Sequence, residues 1–262
     1  MPDRAAVANQ AARPDGGSGA DLFISIHHNA GGRSANYTTV WFHGEADWSE
    51  PDLDVARYVG HALGEALRTD VGRTSPLMSD QQMYPEGFGV LRHCQVPAVL
   101  LECSFFSNPE ENERLRDAFY NLREAYAVYR GLCQYAYGGR PTQSLPKVSL
   151  ENGVLQVTTV LDDGLPATWW GGDRQRILSS TISVYVDDHA MDVDYDPTDK
   201  KLVAKLAEFA VPEARTAALR IHFANFFKHH NWPQRFAIRI DETGNRGHCS
   251  PLAARRYQPP ED

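Results

Sequence analysis

The sequence predicts an α/β fold, with a mostly parallel sheet flanked by helices, followed by an all-β sandwich. Two short apolar runs, Leu22–Ile26 and Val96–Cys103, are each followed or ended by polar residues, as in strands buried on both faces of a parallel sheet. Helical patterns lie between and after these runs. Beyond Pro141 the chain changes to short alternating segments without long helical patterns, which favours an antiparallel sandwich.

The composition fits one large or two ordinary globular domains, since 42% of the 262 residues are hydrophobic. The net charge of −8 argues against a nucleic-acid partner, which needs clustered lysine and arginine. No apolar run is long enough to predict a transmembrane segment. Residues 1–19 lack the apolar core of a secretion signal. The four cysteines are too widely spaced to favour a zinc cluster or a disulfide framework.

The first elements follow from propensity and from breakers. Arg4–Ala12 is rich in helix formers, and Pro14 to Gly19 ends that helix. The first strand then ends at His27 and His28, where one imidazole could face a metal or a substrate. The alternative is that a histidine at a strand end is only a satisfied polar residue. Tyr37–His43 favours a second strand because it is rich in threonine, valine and aromatic residues.

A second helix is predicted to begin at Ser49, which can cap it, with Pro51 in the first turn and Asp52 as the acidic partner of the cap. The connection from Asp70 to Gly89 is long and rich in glycine and proline. Because such loops inside compact domains are usually functional, we expect this one to form a wall of a cleft.

Glu102 ends the second apolar strand, where a carboxylate is costly unless it is paired, hydrated or near a metal. The alternative for this residue is a salt bridge to Arg92. Asn108 and Pro109 then begin the longest helix as cap and first position. Its apolar stripe is predicted to be buried. The stripe comprises Leu115, Phe119, Leu122, Tyr126, Tyr129 and Leu132.

The second half contains six predicted strands, within a sandwich domain over 145–242 that a loose tail over 243–262 follows. Three tryptophans there could form a ligand face, although packing in the core or a hairpin is the favoured interpretation. His229 and His230 favour a polar loop over a metal site, and the aspartates between 187 and 196 favour a solvated hairpin over a calcium loop. The strands are Val148–Leu150, Val154–Leu161, Thr181–Val186, Leu202–Leu206, Ala217–Ala224 and Phe236–Ile240, and the tryptophans are Trp169, Trp170 and Trp232.

Two segments carry a resemblance to a known family. Ser25–Ala30 resembles the zinc-binding strand of the zinc-dependent N-acetylmuramoyl-L-alanine amidases. Val96–Glu102, with Ser104–Asn108 after it, resembles the strand that carries their catalytic glutamate. The resemblance extends over residues 1–138 and implies a catalytic domain there. It also implies that the first strand and helix of the family's fold are missing, so that the domain is partial and N-terminally truncated.

The resemblance implies a zinc hydrolase that cleaves the amide between N-acetylmuramic acid and L-alanine in peptidoglycan. His27 would then be a metal ligand for Zn²⁺, and Glu102 the catalytic residue that moves protons between water and the leaving amine. His28 would line the cleft at most. The expected location is the cell envelope, periplasmic or secreted, because the polymer lies there.

The family's site has two further ligands, a histidine and a glutamate, upstream of the matched segment. Because the sequence given does not contain them, inactivity of the chain as given is one expectation. Three explanations of the incomplete ligand set are open. The chain is a fragment of a longer enzyme, or it is an inactive relic, or other residues such as His43 or His93 replace the two ligands. The alternative function is a non-catalytic amidase-like protein that binds peptidoglycan or regulates a wall enzyme. A zinc carboxypeptidase-like hydrolase is a further alternative.

Overall fold

The structure is a computed structural model, and it describes residues 2–13, 18–44, 46–70, 77–165, 176–212, 216–241 and 246–252. The described residues divide into two compact units, one within residues 1–137 and the other within residues 138–252. Each unit has its own hydrophobic core among the described residues. No described helix is long and apolar enough to cross a membrane.

The first unit is built on a four-stranded sheet with the order β1-β4-β2-β3. The pairs β1–β4 and β2–β3 are parallel, as predicted, whereas β2–β4 is antiparallel, so the sheet is mixed. The antiparallel pair was not predicted, because an apolar run reveals burial on both faces but not the direction of the neighbouring strand. The strands are β1 (Phe23–Asn29), β2 (Thr39–Phe42), β3 (Leu77–Ser79) and β4 (Ala98–Phe105).

Helices cover both faces of this sheet. α2 and α5 pack on one face around Val40, Val99 and Leu101, while α1 and α3 contribute to the core on the other face around Trp41 and Leu100. A 3₁₀ turn over Asp80–Gln82 follows β3. The helices are α1 (Pro2–Gln10), α2 (Ala46–Leu67), α3 (Gly89–Arg92), α4 (Pro109–Leu115) and α5 (Ala118–Tyr137).

Two helix boundaries differ from the sequence prediction. α2 begins at Ala46, so Ser49 lies inside the helix instead of before it. The predicted long helix is broken at Arg116–Asp117 into α4 and α5. The predicted start of α4 is confirmed, because the side chain of Asn108 accepts hydrogen bonds from the backbone N–H groups of Glu110 and Glu111.

The prediction that the apolar stripe of the predicted long helix is buried is wrong for four of its six residues, whereas Leu132 packs partly against the core and Leu115 is half-buried. Phe119, Leu122, Tyr126 and Tyr129 are all more than half exposed. The opposite face of the helix is the buried one, and small residues allow it to approach α2 closely. The buried residues of α5 are Glu124, Ala127, Val128, Gly131 and Tyr135.

The second unit is a single antiparallel sheet of ten strands in the described residues, with a main path β10-β11-β7-β6-β14-β13-β12-β8-β9 and with β5 beside β7. β10 also contacts β8, so the sheet curls towards a nearly closed barrel. The strands are β5 (Thr142–Gln143), β6 (Lys147–Glu151), β7 (Val154–Asp162), β8 (Ser183–Val186), β9 (His189–Ala190), β10 (Asp192–Asp196), β11 (Lys201–Leu206), β12 (Thr216–His222), β13 (Arg235–Ile240) and β14 (Arg246–Pro251).

A sandwich of two separate sheets is therefore not what the structure shows, although all six predicted strands are present. Alternation along a strand predicts which face is buried, and this holds equally for a sandwich and for a curled sheet around one core. β14 joins the strands into one sheet, because it pairs with β13 on one side and with β6 on the other. It also lies in the segment that the sequence assigned to a loose tail.

The tryptophan, histidine and aspartate side chains of this unit can be compared with their predicted positions. Trp232 is buried, which favours its packing role over a ligand face, whereas Trp169 and Trp170 lie outside the described residues. His229 lies in the loop between β12 and β13, as predicted, but its side chain is buried: the residue is 1% exposed and its Nδ1 lies 2.7 Å from the carbonyl oxygen of Gly139. Asp192, with the other aspartates of β10, is exposed as predicted.

Candidate active site

A row of polar side chains crosses the sheet of the first unit. His27 on β1 is the register partner of Glu102 on β4, and Glu102 is in turn the partner of Thr39 on β2. Register partners project to the same face of a sheet. This face is the one that Trp41 and Leu100 share with α1 and α3. The structure therefore brings together the two residues that the sequence analysis selected, and it adds Thr39.

A cleft of about 510 Å³ opens over this row. His27 and Glu102 both line it, and Arg4 of α1 lies at its edge. The remaining lining is largely apolar and aromatic, so the polar groups lie in a recess with reduced access to water. The other lining residues are Asn29, Trp41, Met83, Tyr84, Glu86, Gly87, Phe88, Gly89, Val90 and Leu100.

His27 is held as a neutral imidazole. Partial burial lowers its pKa, and the positive charge of Arg4 lowers the pKa further. Its Nε2 lies 2.8 Å from the hydroxyl oxygen of Ser25. If Nε2–H donates to that hydroxyl, the lone pair of Nδ1 is free to bind a cation. That tautomer is the one expected of a metal ligand fixed by a hydrogen bond at its other nitrogen.

Glu102 is suited to proton exchange. Burial raises the pKa of its carboxyl group, against a smaller opposing effect of His28. Its Oε2 atom is buried and has no hydrogen-bond partner among the described residues. The predicted salt bridge to Arg92 is absent there, because Arg92 donates to the carbonyl oxygen of Glu86. A buried carboxylate oxygen without a partner is costly and is typical of a group that meets a ligand.

One wall of the cleft is anchored by Asp80, which is fully buried. Its carboxylate accepts hydrogen bonds from the backbone N–H of Phe88 (2.7 Å) and of Gly44 (3.0 Å), and Nδ1 of His43 lies 3.1 Å away. Phe88 then packs against Trp41 with ring centroids 5.3 Å apart. The part of the predicted loop after Ser79 thus forms a wall of the cleft, as its length indicated, whereas 71–76 lies outside the described residues.

The other histidines do not reach the cleft. His28 points to the opposite face, where its Nε2 lies 3.0 Å from Oε2 of Glu124 on α5, so the prediction that it lines the cleft is wrong. This orientation follows from ordinary strand alternation, because His27 and His28 are consecutive residues of β1 and so point to opposite faces. His43 is occupied by Asp80, and His93 ends α3 outside the lining. Neither supplies a replacement ligand in the described residues.

The described residues do not fit a complete catalytic zinc site. Such a site takes three protein ligands and one water. His27 offers a neutral imidazole and Glu102 offers an unpaired oxygen. However, the described part of the chain contains no group of three or more histidine, cysteine, aspartate or glutamate side chains that could hold a metal ion. The geometry therefore provides a carboxyl group with a raised pKa beside one imidazole that could bind a metal ion.

Several cleft residues were not found from the sequence. Tyr84, Phe88 and Trp41 reach the cleft through tertiary packing, and no local pattern marks them. Thr39 could have been found by pairing the second predicted strand with the glutamate strand, but the register was unknown. Its hydroxyl is buried without a hydrogen-bond partner among the described residues.

The chain is similar to known amidases over its first half. A family model described as N-acetylmuramoyl-L-alanine amidase matches residues 1–134. The probable N-acetylmuramoyl-L-alanine amidase AmiB of Haemophilus influenzae is 33% identical over 97 residues, which are 37% of this chain and 22% of that protein. The probable cell wall amidase LytH of Staphylococcus epidermidis is 29% identical over 117 residues, which are 44% of this chain and 35% of that protein.

Among solved structures, an N-acetylmuramoyl-L-alanine amidase from Clostridium difficile 630 is 25% identical, with a TM-score of 0.42. That match covers 51% of this chain and 63% of the other. The chain thus spans only a part of the length of both curated relatives, 22% of AmiB and 35% of LytH. Because the family model covers half of the sequence, the chain belongs to the N-acetylmuramoyl-L-alanine amidase family.

Proposed function

We propose that the first unit is a peptidoglycan hydrolase that cleaves the amide bond between N-acetylmuramic acid and the L-alanine of the stem peptide. The observation that carries the proposal is the unpaired, buried Oε2 of Glu102 beside His27 in a cleft. Family membership supports the choice of substrate. The names of the relatives, which include cell wall amidases, support a location in the cell envelope.

In this proposal Glu102 is the proton-transfer residue. Its raised pKa brings proton exchange closer to neutral pH, which is where a general base and acid is most effective. It would take a proton from the attacking water and give it to the leaving amine of L-alanine. Trp41, Tyr84 and Phe88 would position the substrate beside it, since they form the apolar part of the lining.

We further propose His27 as a ligand of Zn²⁺, the cofactor that the family implies. Zinc would polarise the scissile carbonyl and activate water when it is bound. The described residues do not supply the other ligands, so a functional zinc site requires groups beyond them. The role of the second unit in this proposal is that of an accessory domain after residue 138.

The second candidate function is a non-catalytic protein that binds peptidoglycan through the same cleft or regulates a wall enzyme. It is favoured by the incomplete set of metal ligands in the described residues. The two candidates share a substrate and differ in turnover, so one experiment can separate them.

The test is incubation of the purified chain with zinc and isolated muropeptides, followed by mass spectrometry of the products. Amidase activity releases stem peptides with a free N-terminal L-alanine. Glu102→Gln should lower the rate by at least about a hundredfold, as expected for loss of a general acid–base group. Glu113→Gln on the exposed surface of α4 is the matched control and should retain the parent rate.

Zinc binding is measured separately by equilibrium dialysis. His27→Ala should weaken zinc binding by at least about tenfold, whereas His61→Ala on the exposed side of α2 should not. Muropeptide binding without release of stem peptides, in both the parent and Glu102→Gln, would support the non-catalytic alternative. Turnover that survives Glu102→Gln would remove this residue from its proposed role.

A further inference from the structure

A continuous apolar stripe runs along the solvent side of α5. Phe119 is 82% exposed, Leu122 64%, and Tyr126 and Tyr129 63% each. Cys133 continues the same line and is also exposed. These residues are spaced alternately by three and four positions, which is the a and d spacing of a heptad. A surface helix of a globular domain normally carries polar residues at such positions.

The other face of α5 already has its partner, so the stripe is a second and separate apolar face. Gly131 approaches α2 so closely that an added Cβ would lie 2.7 Å from Cα of Val59. Ala127 and Val128 pack in the same core. The helix is therefore fixed by the first unit and cannot rotate to bury the stripe without losing this contact.

The size of the stripe is that of half a small interface. At the exposures given above, its aromatic and leucine side chains present on the order of 500 Å² of apolar surface. This is near the upper end of what a monomer usually exposes. Two copies joined through the stripe would bury about 1,000 Å², which is the lower bound for a specific interface.

The residues beside the stripe favour one orientation for a second copy. Arg123 and Arg130 occupy the e positions on one side, whereas the g positions on the other side hold Ala118, Ala125 and Leu132. In a parallel pair, each g position faces the e position of the other copy that lies five residues later in the sequence. The stems of Arg123 and Arg130 would therefore lie over Ala118 and Ala125 of the other copy. In an antiparallel pair, e faces e, and the arginines of the two copies would face one another.

We propose that the stripe is a self-association surface, on which α5 of a second copy of this chain packs in parallel about a two-fold axis. The stem of Arg130, whose guanidinium contacts Glu65 of its own chain, would cover Ala125 of the other copy. Closed two-fold pairs are the commonest oligomers, and one self-complementary stripe is sufficient to form them.

The first test is the mass of the full-length chain in solution, measured by sedimentation at a series of concentrations. We expect a reversible dimer. Leu122→Glu with Tyr126→Glu should weaken dimerisation by at least about tenfold without unfolding the chain, because both side chains are exposed. Gln134→Glu lies on α5 outside the stripe and should leave the dimer unchanged. A chain that stays monomeric at concentrations of about 100 μM, or a dimer that survives the double substitution, would refute the proposal.

The second test uses the charge pattern to report the orientation. Ala125 is exposed, so Ala125→Glu should be accepted without loss of the fold. In a parallel pair the new carboxylate would face Arg130 of the other copy, and dimerisation should strengthen by about twofold or more. In an antiparallel pair g faces g, so the two new carboxylates would repel each other. Dimerisation that weakens with this substitution would therefore contradict the parallel packing.

The third test reports the orientation covalently. A parallel pair places Cys133 beside Cys133 of the other copy, so a short bismaleimide should link two chains. Cys133→Ser should abolish the link, since Cys94 and Cys103 are buried and Cys249 is partly buried. A link that forms only between Cys133 and a cysteine introduced by Leu122→Cys would instead indicate an antiparallel pair, in which a positions face d positions, and the proposed parallel packing would be wrong.

A different occupant would give a different result. A synthetic amphipathic peptide with leucine at a and d and glutamate at e and g can probe the stripe for a foreign helix. If this peptide binds a monomeric chain, and the Leu122→Glu, Tyr126→Glu variant does not bind it, the stripe serves a partner helix and the second-copy proposal fails. If the peptide binds only by dissociating the dimer, the stripe is the shared surface and the proposal stands.

Discussion

Glu102 lies opposite His27 in the parallel register of β1 and β4, and both side chains line the same cleft. The two residues come from separate strands that are fixed by continuous backbone pairing from Phe23 with Ala98 onward. Their relative position therefore depends on the most rigid part of the first unit. The consequence is a neutral imidazole next to a carboxyl group whose pKa is raised by burial.

Glu102→Gln should stabilise the chain at alkaline pH. A carboxyl group whose pKa is raised by folding favours the native state when protonated, and this contribution is lost as the pH rises through the native pKa. The neutral amide avoids the loss, so we expect a gain of about 1 kcal/mol at pH 8 that disappears at pH 4. Urea denaturation at both pH values measures it. An equal effect at both pH values would contradict the burial argument.

The ion pair of His28 with Glu124 should stabilise the first unit mainly at acidic pH. The hydrogen bond that His28 donates to Glu124 raises the pKa of the imidazole above 6.5. The stabilisation is therefore complete below pH 6.5 and is lost as the pH rises through the native pKa. Glu124→Gln should cost about 1 kcal/mol at pH 5.5 and less at pH 9. Thermal unfolding at the two pH values tests this, and a larger loss at pH 9 would reverse the assignment.

Asp52 should make the free energy of unfolding fall as the pH rises above 3.8, the ordinary pKa of an aspartate. Its carboxyl group is buried, and burial raises its pKa well above the ordinary value although it accepts a hydrogen bond from the N–H of Ala98 at 2.8 Å. Its ionisation therefore destabilises the native state progressively as pH rises. Asp52→Asn can keep the acceptor but not the charge. Relative to the parent, the variant should gain about 1.4 kcal/mol for each unit by which folding raises the pKa.

The control for Asp52 is Asp54→Asn, two residues further along α2, which should leave this fall of stability with rising pH in place. Asp54 is buried but pairs with Arg57 at 3.2 Å, so its charge is compensated. Urea unfolding from pH 4 to pH 9 compares the two variants. Parallel curves for the parent and Asp52→Asn would show that another group controls the pH dependence.

The sequence predicted the residues that backbone patterns mark. His27 and Glu102 stand at the ends of the two most apolar strands, and capping by Asn108 could be read from three adjacent residues. Once His27 faces the cleft, strand alternation directs His28 to the opposite face. Its partner there, Glu124 on α5, could not be read from the sequence, because it depends on how the helix packs on the sheet.

Packing partners could not be predicted in the same way. The stripe from Phe119 to Tyr129 has the spacing of a buried helix face, yet the small residues of the opposite face pack inwards. Periodicity identifies an apolar face but does not identify what covers it. Likewise, the alternation of apolar and polar residues predicted six strands of the second unit. Their pairing into one curled sheet depends on β14, whose sequence shows little of this alternation.

Asp80 should prove necessary for the wall of the cleft. Asp80→Ala would leave the N–H groups of Phe88 and Gly44 without their acceptor and His43 without this hydrogen bond, at a cost of about 2–4 kcal/mol. Gly87→Ala should be damaging for a related reason, because its φ is +69° and an added Cβ would lie 2.6 Å from Oδ2 of Asp80. Gly32→Ala, where nothing lies within 4 Å of the added carbon, is the matched control.

The measurement for this wall is urea unfolding together with muropeptide binding by the full chain. We expect Asp80→Ala and Gly87→Ala to weaken binding as well as stability, because Tyr84 and Phe88 depend on the same anchor for their positions in the cleft. Gly32→Ala should change neither. If Gly87→Ala lowers stability but binds muropeptides like the parent, the wall does not position the substrate, and binding would have to rest on the strands alone.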